Sequence, residues 1–272
     1  MAFRAMQRAD PDRLFLCRDL ASLGISKQID GYTRCLEARD RQRSVVSVPC
    51  DHANVSWAVM LVFEKSSNLR GEETSLGSFI DARVADALAT MLGGIAVRKV
   101  SAQGASPLYP PEADCVERGD VAIVGGIRKQ QFDVAYRPDG VRFAFDNKTL
   151  NDVESVGKNW QNMVNDLATE AATVHTRFPM AVVSFVVLIP EPALGTCLEP
   201  ISWRLAGLGG RADEHGPDHV AEVMCLAIWD PATGHTSTAL PNPGQHSKLR
   251  IEHFSAQIES SYRTRYAGAP PH

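Results

Sequence analysis

Residues 180–189 are an almost unbroken run of apolar side chains, and this run constrains the fold more than any other stretch of the chain. Because a membrane helix needs about 20 apolar residues, the run is too short to span a bilayer. Continuous runs of this length are typical of strands that are covered on both faces, as in parallel sheets. Residues 153–177 precede it with apolar side chains at helical spacing, and Pro179 ends that pattern. The order predicts an α/β fold in which a helix crosses over to a buried parallel strand.

A β-hairpin is predicted just before this helix. Residues 131–136 and 141–148 alternate between polar and apolar side chains. Residues 137–140, with the sequence Arg-Pro-Asp-Gly, are typical of the turn between two such strands. An antiparallel hairpin beside a parallel crossover predicts a central mixed β-sheet flanked by helices.

The register of the hairpin decides which side chains meet. If Tyr136 and Val141 flank the turn and face each other, Asp133 lies opposite Ala144. One face then carries the aromatic and aliphatic residues Phe132, Val134, Tyr136, Val141, Phe143 and Phe145. The other face carries Asp133, Ala135, Arg142, Ala144, Asp146 and Lys148. On this second face, the small side chains of the two alanines are expected to leave room above the charged groups.

The remaining segments predict further elements around this core. Helices are expected over about 25–36, 75–92 and 251–266, and strands over 55–64, 222–229 and 235–240. Residues 101–119 are rich in proline and are expected to form a long loop.

Composition excludes several classes of protein. Hydrophobic residues make up 44% and charged residues 22% of the 272 residues, which argues against a disordered chain. The 32 Asp and Glu residues outnumber the 28 Lys and Arg residues, so the chain is no general polycation that coats nucleic acid. None of the six cysteines has the Cys-x-x-Cys spacing of a zinc knuckle or redox motif. Because the N-terminus lacks the apolar stretch of a signal peptide, a cytoplasmic protein with no membrane partner is expected.

Asp133, Asp146 and Lys148 are the residues on the polar hairpin face that suggest chemistry. Diagonal neighbours on adjacent strands lie about 7–8 Å apart, so the two carboxylates can converge on one ion. Two carboxylates, a substrate phosphate and several waters suit Mg²⁺, with Mn²⁺ as a substitute. Lys148 can position a water or offset charge on the phosphate oxygens. The alternative interpretation is a solvated strand face whose charges have no chemical role.

The same residues resemble a known family. Asp133, followed by Asp146-Asn147-Lys148, resembles the Asp…(Asp/Glu)-x-Lys core of the PD-(D/E)xK nuclease superfamily, whose fold is that of most type II restriction endonucleases. The Lys-Thr end of the second strand, the long helix and the turn Arg177-Phe178-Pro179 are similar to restriction-endonuclease-like bacterial proteins. This resemblance covers residues 120–190, roughly a quarter of the chain.

The chain departs from the family pattern at two positions. Phe132 stands where the motif name has proline, at a position that varies widely in the superfamily. Asp146 is one methylene shorter than the commoner glutamate, which shortens its reach to an ion.

The resemblance implies a restriction-endonuclease-like core and a function. That function is a Mg²⁺-dependent double-stranded DNA endonuclease of the type II restriction type, which hydrolyses phosphodiester bonds at a specific sequence. Two cuts on a duplex imply a homodimer on DNA, and a cognate DNA methyltransferase is expected genetically. A single α/β nuclease domain over residues 1–272 is expected, with its catalytic core over 68–190. Residues 1–66, expected to be helical, and residues 191–272 would be elaborations for DNA contact or dimerisation.

Further carboxylates are expected to join the catalytic residues Asp133 and Asp146 at the metal. The superfamily often adds an acidic residue from the helix before the hairpin, and Glu73 is favoured over Asp81 for that place. Glu170 lies at the edge of the buried face of the helix over 153–177, so it is expected to reach the site. In the alternative interpretation, Arg177 or solvent neutralises Glu170 as an ordinary helix charge.

Three residues are candidates for DNA contact: Lys158 and Asn159 near the start of the long helix, and Arg142 on the hairpin. Two other functions stay open. The chain could be a non-catalytic DNA-binding member of the same fold, which metal-dependent nicking of a plasmid would exclude. It could also be an unrelated soluble α/β enzyme whose hairpin charges are incidental, which a large distance between Asp133 and Asp146 would favour.

Overall fold

The computed structural model of the protein describes residues 69–101, 109–151, 153–232, 235–237 and 239–270. The helix predicted over about 25–36 and the strand predicted over 55–64 lie outside the described residues. Within the described ranges, no helix combines the length and the apolar character needed to cross a membrane.

Six strands in the described part of the chain form one mixed sheet, in which each strand lies beside its neighbours in sequence. The strands are β1 (Ala96–Val100), β2 (Cys115–Val124), β3 (Lys129–Tyr136), β4 (Phe143–Thr149), β5 (Val182–Pro190) and β6 (Val223–Trp229). β2, β3 and β4 pair antiparallel, whereas β1 is parallel to β2, and β5 and β6 continue in parallel from β4. The prediction of an α/β fold with a mixed sheet is confirmed.

Helices pack on both faces of this sheet. They are α1 (Leu69–Met91), α2 (Val153–His175), α3 (Leu198–Leu208) and α4 (Ile251–Tyr266), with short 3₁₀ turns at Glu191–Ala193 and Ser247–Leu249. Apolar side chains of α2 and α3 join one core cluster, and those of α1 and α4 join the cluster on the opposite face. β5 contributes alternately to both, with Phe185 in the first cluster and Val186 in the second. Because all nine residues of β5 are buried, its unbroken apolar pattern is explained.

The helix predicted over 153–177 is α2, and it connects the parallel strands β4 and β5 as predicted. Apolar residues at helical spacing form a buried stripe on this helix, with Trp160 partly buried beside them: Val156, Met163, Leu167, Ala171 and Val174. The helix ends two residues early, because the N–H groups of Arg177 and Phe178 both turn back to the Val174 carbonyl.

Two predicted segments differ from the structure. The loop predicted over 101–119 ends earlier, because β2 begins at Cys115. The sequence pattern does not reveal the start of this strand, because Glu117 is a charged residue at a buried position. Its carboxylate is fully buried and accepts two hydrogen bonds from Arg137. In the described part of the segment predicted as a strand over 235–240, only Thr236 forms a bridge, to Trp229. The Ser237 hydroxyl accepts hydrogen bonds from the backbone N–H groups of Ala239 and Leu240, which form a turn instead of a strand.

The hairpin of β3 and β4 has a different register from the predicted one. Tyr136 pairs with Phe143, and not with Val141, so the connecting turn is longer than predicted. Arg142 lies inside this turn, where its guanidinium donates two hydrogen bonds to the Asp139 carboxylate. The backbone N–H of Arg142 closes the turn by donating to the Tyr136 carbonyl at 3.0 Å.

The shift in register keeps the faces of the strands but changes the partners, because it amounts to two residues. When the observed pairing is continued by one step, Asp133 lies opposite Asp146, and not opposite Ala144. Ala144 pairs with Ala135, and both are fully buried in the cluster beneath α2. The prediction that these alanines leave room above the site is therefore wrong.

A bulge bends the hairpin of β2 and β3. The register shifts between Arg118 and Val121, and such an extra residue strengthens the local bend and twist. Beyond the bulge, Phe132 pairs with Val121 and joins the cluster beneath α2, whereas Val134 faces the opposite cluster. Because Phe132 and Val134 enter different core clusters, the prediction that they share a face is wrong. We call residues 121–132, the part of the hairpin beyond the bulge, the arm.

Candidate functional site

Asp133, Asp146 and Lys148 meet where β3 and β4 run side by side. Asp146 and Lys148 are two residues apart on the α2 side of β4, and the Lys148 ammonium donates a hydrogen bond to Asp146 Oδ2. Asp133 lies on the neighbouring strand β3. Its Oδ2 accepts a hydrogen bond at 2.9 Å from the backbone N–H of Asn147 on β4. The structure therefore brings together the three residues that the sequence singled out.

Glu170 of α2 joins this group from above the sheet. Its Oε1 accepts hydrogen bonds from Lys148 Nζ at 2.9 Å and from Gln130 Nε2 at 3.0 Å. The residue is only 3% exposed, as its position at the edge of the buried face suggested. Arg177, the alternative partner, donates to the Val124 carbonyl.

The second carboxylate oxygen of Glu170 differs from the first. Oε2 is buried and accepts no hydrogen bond from the part of the chain that the structure describes. Burial raises the pKa of Glu170 above its usual range, and the neighbouring Asp146 carboxylate adds to this, against the opposing charge of Lys148. A buried polar atom without a partner costs about 1–3 kcal/mol. A cation or a bound water at this oxygen would remove that cost.

Lys148 is held as a cation. Burial alone lowers the pKa of Lys148, but the carboxylates of Asp146 and Glu170 outweigh this effect and place the pKa above its usual range. Its side chain is 28% exposed, whereas that of Glu170 is 4% exposed. The side chain of Lys148 is therefore more open to solvent than that of Glu170.

Asn147 points to the opposite side of β4 and links the group to α1. Its Nδ2 donates to Asp133 Oδ2 at 2.8 Å and to Asp81 Oδ1 at 2.6 Å. Asp81 is therefore the α1 carboxylate that the structure brings to the site, although the sequence favoured Glu73. Glu73 lies about 12 Å earlier along the axis of α1, and its side chain lies outside the described residues.

Four carboxylates share this small volume with one lysine. Burial raises the pKa of Asp81 to about 7; the hydrogen bond from Asn147 lowers it, and the Asp146 charge raises it. Burial also raises the pKa of Asp133, and the carboxylates of Asp146 and Asp81 raise it further. Because like charges disfavour ionisation of their neighbours, a cation bound among these carboxylates would lower their pKa values again.

The residues of the site fit a hard divalent cation. Among the described residues, no group of three Asp, Glu, His or Cys side chains is arranged to hold a metal ion by itself. Mg²⁺ does not require such a group, because it keeps several waters and is commonly bound through one or two carboxylates and the substrate phosphates. Asp133 and Asp146, with the unpartnered Glu170 oxygen nearby, supply donors of that kind.

The residues predicted to contact DNA lie elsewhere. Arg142 is 4% exposed; it donates to the backbone carbonyls of residues 269 and 270, and its guanidinium lies 4.9 Å from the centre of the Tyr266 ring. It fastens the end of the described chain and is not available for DNA contact, which corrects that prediction. Lys158 and Asn159 are exposed near the start of α2, and their contact with DNA stays a prediction.

Asn147 and Gln130 are the site residues that sequence reasoning missed. Asn147 occupies the open position of the Asp-x-Lys motif, so the motif gives no signal for it. Gln130 lies in the arm and reaches Glu170 in the structure through the bend after Arg118. No periodicity in the sequence marks that bend.

Comparison of the chain with protein-family models, with curated proteins and with solved structures found no match. The resemblance of residues 120–190 to the nuclease superfamily therefore stays a prediction, which rests on the motif residues themselves.

Proposed function

We propose that the protein is a Mg²⁺-dependent double-stranded DNA endonuclease of the type II restriction type. The observation that carries the proposal is the meeting of Asp133 and Asp146, from adjacent strands, with Lys148 and Glu170. Along the chain these residues follow the order Asp…Asp-x-Lys, then a crossover helix, which is the order that the superfamily resemblance implies. A six-stranded mixed sheet flanked by helices is compatible with a restriction-endonuclease-like core.

The carboxylates would hold the metal ion. Asp133 and Asp146 are the proposed ligands, and Glu170 is either a third ligand or the acceptor that orients a water molecule. When bound, Mg²⁺ supplies Lewis acidity toward the phosphate and lowers the pKa of a bound water. Asn147 positions Asp133 through two hydrogen bonds to Oδ2, one from its backbone and one from its side chain.

Lys148 would act on the substrate directly. Its ammonium carries a full charge between two carboxylates, and it is the more exposed member of the pair that it forms with Glu170. An arriving phosphate oxygen can take the place of one carboxylate partner. The ammonium then offsets the negative charge that grows on the phosphate during attack by water.

The restriction-type function adds three requirements to this chemistry. Loops must contact base edges to give a cleavage sequence, two copies must act on one duplex, and a cognate methyltransferase must protect the host DNA. We propose a homodimer on double-stranded DNA as the active form.

Plasmid cleavage tests the proposal. Supercoiled plasmid is incubated with the full-length protein and Mg²⁺, Mn²⁺, Ca²⁺ or EDTA. We expect cleavage with Mg²⁺ and Mn²⁺, and DNA binding without cleavage with Ca²⁺, because Ca²⁺ prefers a larger and less regular ligand shell. Cleavage in excess EDTA would overturn the proposed metal dependence, and binding without cleavage by any metal would favour the non-catalytic alternative.

Variants of the site assign the activity to these residues. We expect Asp133→Asn, Asp146→Asn and Lys148→Ala each to abolish cleavage. The control Asp166→Asn removes an exposed carboxylate from α2 and should cut like the wild type. Wild-type cleavage by all three site variants would exclude this group as the active site.

A further inference from the structure

The tip of the arm, residues 124–129, is fastened to α2. The backbone N–H of Gly126 donates to the Thr173 carbonyl at 2.8 Å. The guanidinium of Arg177 donates to the Val124 carbonyl at 2.8 Å. These bonds join the backbone of the tip to α2, the helix that carries Glu170, and to the turn that follows it.

Two glycines allow this close contact. A Cβ at Gly125 would lie 2.0 Å from the carbonyl oxygen of Thr173, and a Cβ at Gly126 would lie 2.6 Å from Cβ of Thr176. Any side chain at these positions would force the tip away from the helix. The contact begins at Thr173, which is three residues, or nearly one helical turn, after Glu170.

The side chains at the tip face solvent. Ile127 is 58% exposed, and Arg128 and Lys129 are both exposed. The next residue, Gln130, donates to Glu170 Oε1 in the candidate site. Two cations therefore lie within two residues of a side chain that touches the site, on a segment whose position is fixed.

Charge explains why such cations matter beside this site. The chain has a net charge of -4, and the site lysine contacts two carboxylates, Asp146 and Glu170, with Asp133 and Asp81 close by on Asn147. This arrangement repels a nucleic acid unless nearby cations compensate. Lys and Arg contacts to phosphates supply most of the affinity for DNA and set its register on the protein.

We propose that the tip of the arm binds the phosphate backbone of the DNA substrate next to the cleavage site, through Arg128 and Lys129. The identity of the substrate rests on the function proposed above. Gln130 links the tip to Glu170, and the tip is also bonded to α2, the helix that carries Glu170. DNA held at the tip therefore has a defined position relative to the carboxylates. Arg128 and Lys129 are binding residues in this arrangement and take no part in the chemical step.

The test compares three full-length proteins. The variant Arg128→Gln/Lys129→Gln removes both tip cations. The control Lys99→Gln/Arg263→Gln removes two exposed cations from the edge strand β1 and from α4 on the opposite face. Binding of a labelled, mixed-sequence DNA duplex is measured by fluorescence anisotropy in Ca²⁺ at several KCl concentrations, and cleavage of the supercoiled plasmid is measured separately with Mg²⁺.

We expect the slope of log Kd against log salt concentration to decrease by about 2 in the tip variant, because each phosphate contact contributes about 0.9 to the slope. The control should keep both the wild-type slope and the wild-type cleavage rate. Equal slopes in all three proteins would overturn the inference, while cleavage by the wild type would leave the proposed function intact.

The opposite pattern is also distinguishable. Binding that depends on the tip, without cleavage by any metal, would support the inference and overturn the proposed nuclease activity. A wild-type protein that neither binds nor cuts DNA would overturn both.

Discussion

Replacement of Glu170 by glutamine removes one charge from the candidate site and nearly preserves its shape. The glutamine oxygen can still accept the hydrogen bonds from Lys148 and Gln130 that now reach Oε1. The new amide takes the place of Oε2, the oxygen without a partner among the described residues, and can donate to the neighbouring Asp146 carboxylate. The substitution therefore tests the charge and the unpartnered oxygen, and leaves the packing of α2 in place.

Two opposing effects set the expected change in stability. Hydrogen bonds to charged groups contribute about 1.5–3 kcal/mol and neutral ones about 0.5–1.5 kcal/mol, so the weaker bond from Lys148 costs about 1 kcal/mol. Loss of the repulsion between Asp146 and Glu170 offsets a similar amount. We therefore expect the free energy of unfolding to change by less than about 1 kcal/mol. Loss of a ligand or water-orienting oxygen should slow cleavage at least about tenfold, which corresponds to about 1.4 kcal/mol in the barrier.

Single-turnover cleavage at matched Mg²⁺ concentration and urea unfolding in EDTA measure the two quantities. The matched control is Asp166→Asn, because Asp166 is exposed on the same helix and its replacement changes the net charge equally. Unchanged cleavage by Glu170→Gln, or equal slowing in both variants, would refute the reasoning. A large loss of stability together with the loss of cleavage would assign Glu170 a structural role.

Two further predictions concern α1 and the arm. Burial raises the pKa of Asp81 from 3.8 to about 7, so its contribution to stability is present at low pH and is lost as the pH rises through about 7. Urea unfolding in EDTA should therefore show that Asp81→Asn removes part of this decline, by at most roughly 4 kcal/mol, and parallel pH profiles of the two proteins would argue against the assignment. Arg137→Met leaves the fully buried Glu117 carboxylate without its guanidinium partner and should destabilise the protein by about 3–5 kcal/mol in the same assay. The double variant Glu117→Leu/Arg137→Met should recover most of this loss, and a loss below about 1 kcal/mol in the single variant would contradict the argument.

Local periodicity was sufficient to locate the elements with a simple burial pattern. α2 presents one apolar stripe to the sheet, and β5 is buried on both faces, so the sequence of each directly reflects its surroundings. The bounds of α4 agree with the predicted 251–266 for the same reason, because Phe254, Ile258 and Tyr262 repeat at helical spacing.

The register of the hairpin and the bend of the arm were beyond sequence reasoning. The turn before β4 contains an ion pair between Arg142 and Asp139, which a pattern of polar and apolar residues does not reveal. The bend lies next to Gly119, whose φ is 116° and where a Cβ would lie 2.2 Å from the carbonyl oxygen of Val100. Both features follow from contacts between distant parts of the chain.

The candidate site was predictable where it depends on alternation and unpredictable where it depends on tertiary contacts. Asp146 and Lys148 are two residues apart on one strand, so they share a face. A shift of two residues in register keeps Asp133 on that same face, and the predicted grouping therefore survives the error in register. Asp81 meets Asn147 only after α1 has packed on the sheet. Gln130 meets Glu170 only after the arm has bent toward α2.

Gly77 lies inside α1, where a glycine costs the helix about 1 kcal/mol relative to alanine. A Cβ at this position would lie 3.0 Å from Oδ1 of Asn147, the residue whose amide holds Asp133 and Asp81. Alanine would therefore favour the helix and at the same time push on that amide. If the Asn147 amide can shift by a few tenths of an ångström, Gly77→Ala raises the melting temperature, and the shift moves the hydrogen bonds to Asp133 and Asp81. Engineering of a more durable protein should leave this position unchanged, since thermal stability and the geometry of the carboxylates make opposite demands on it.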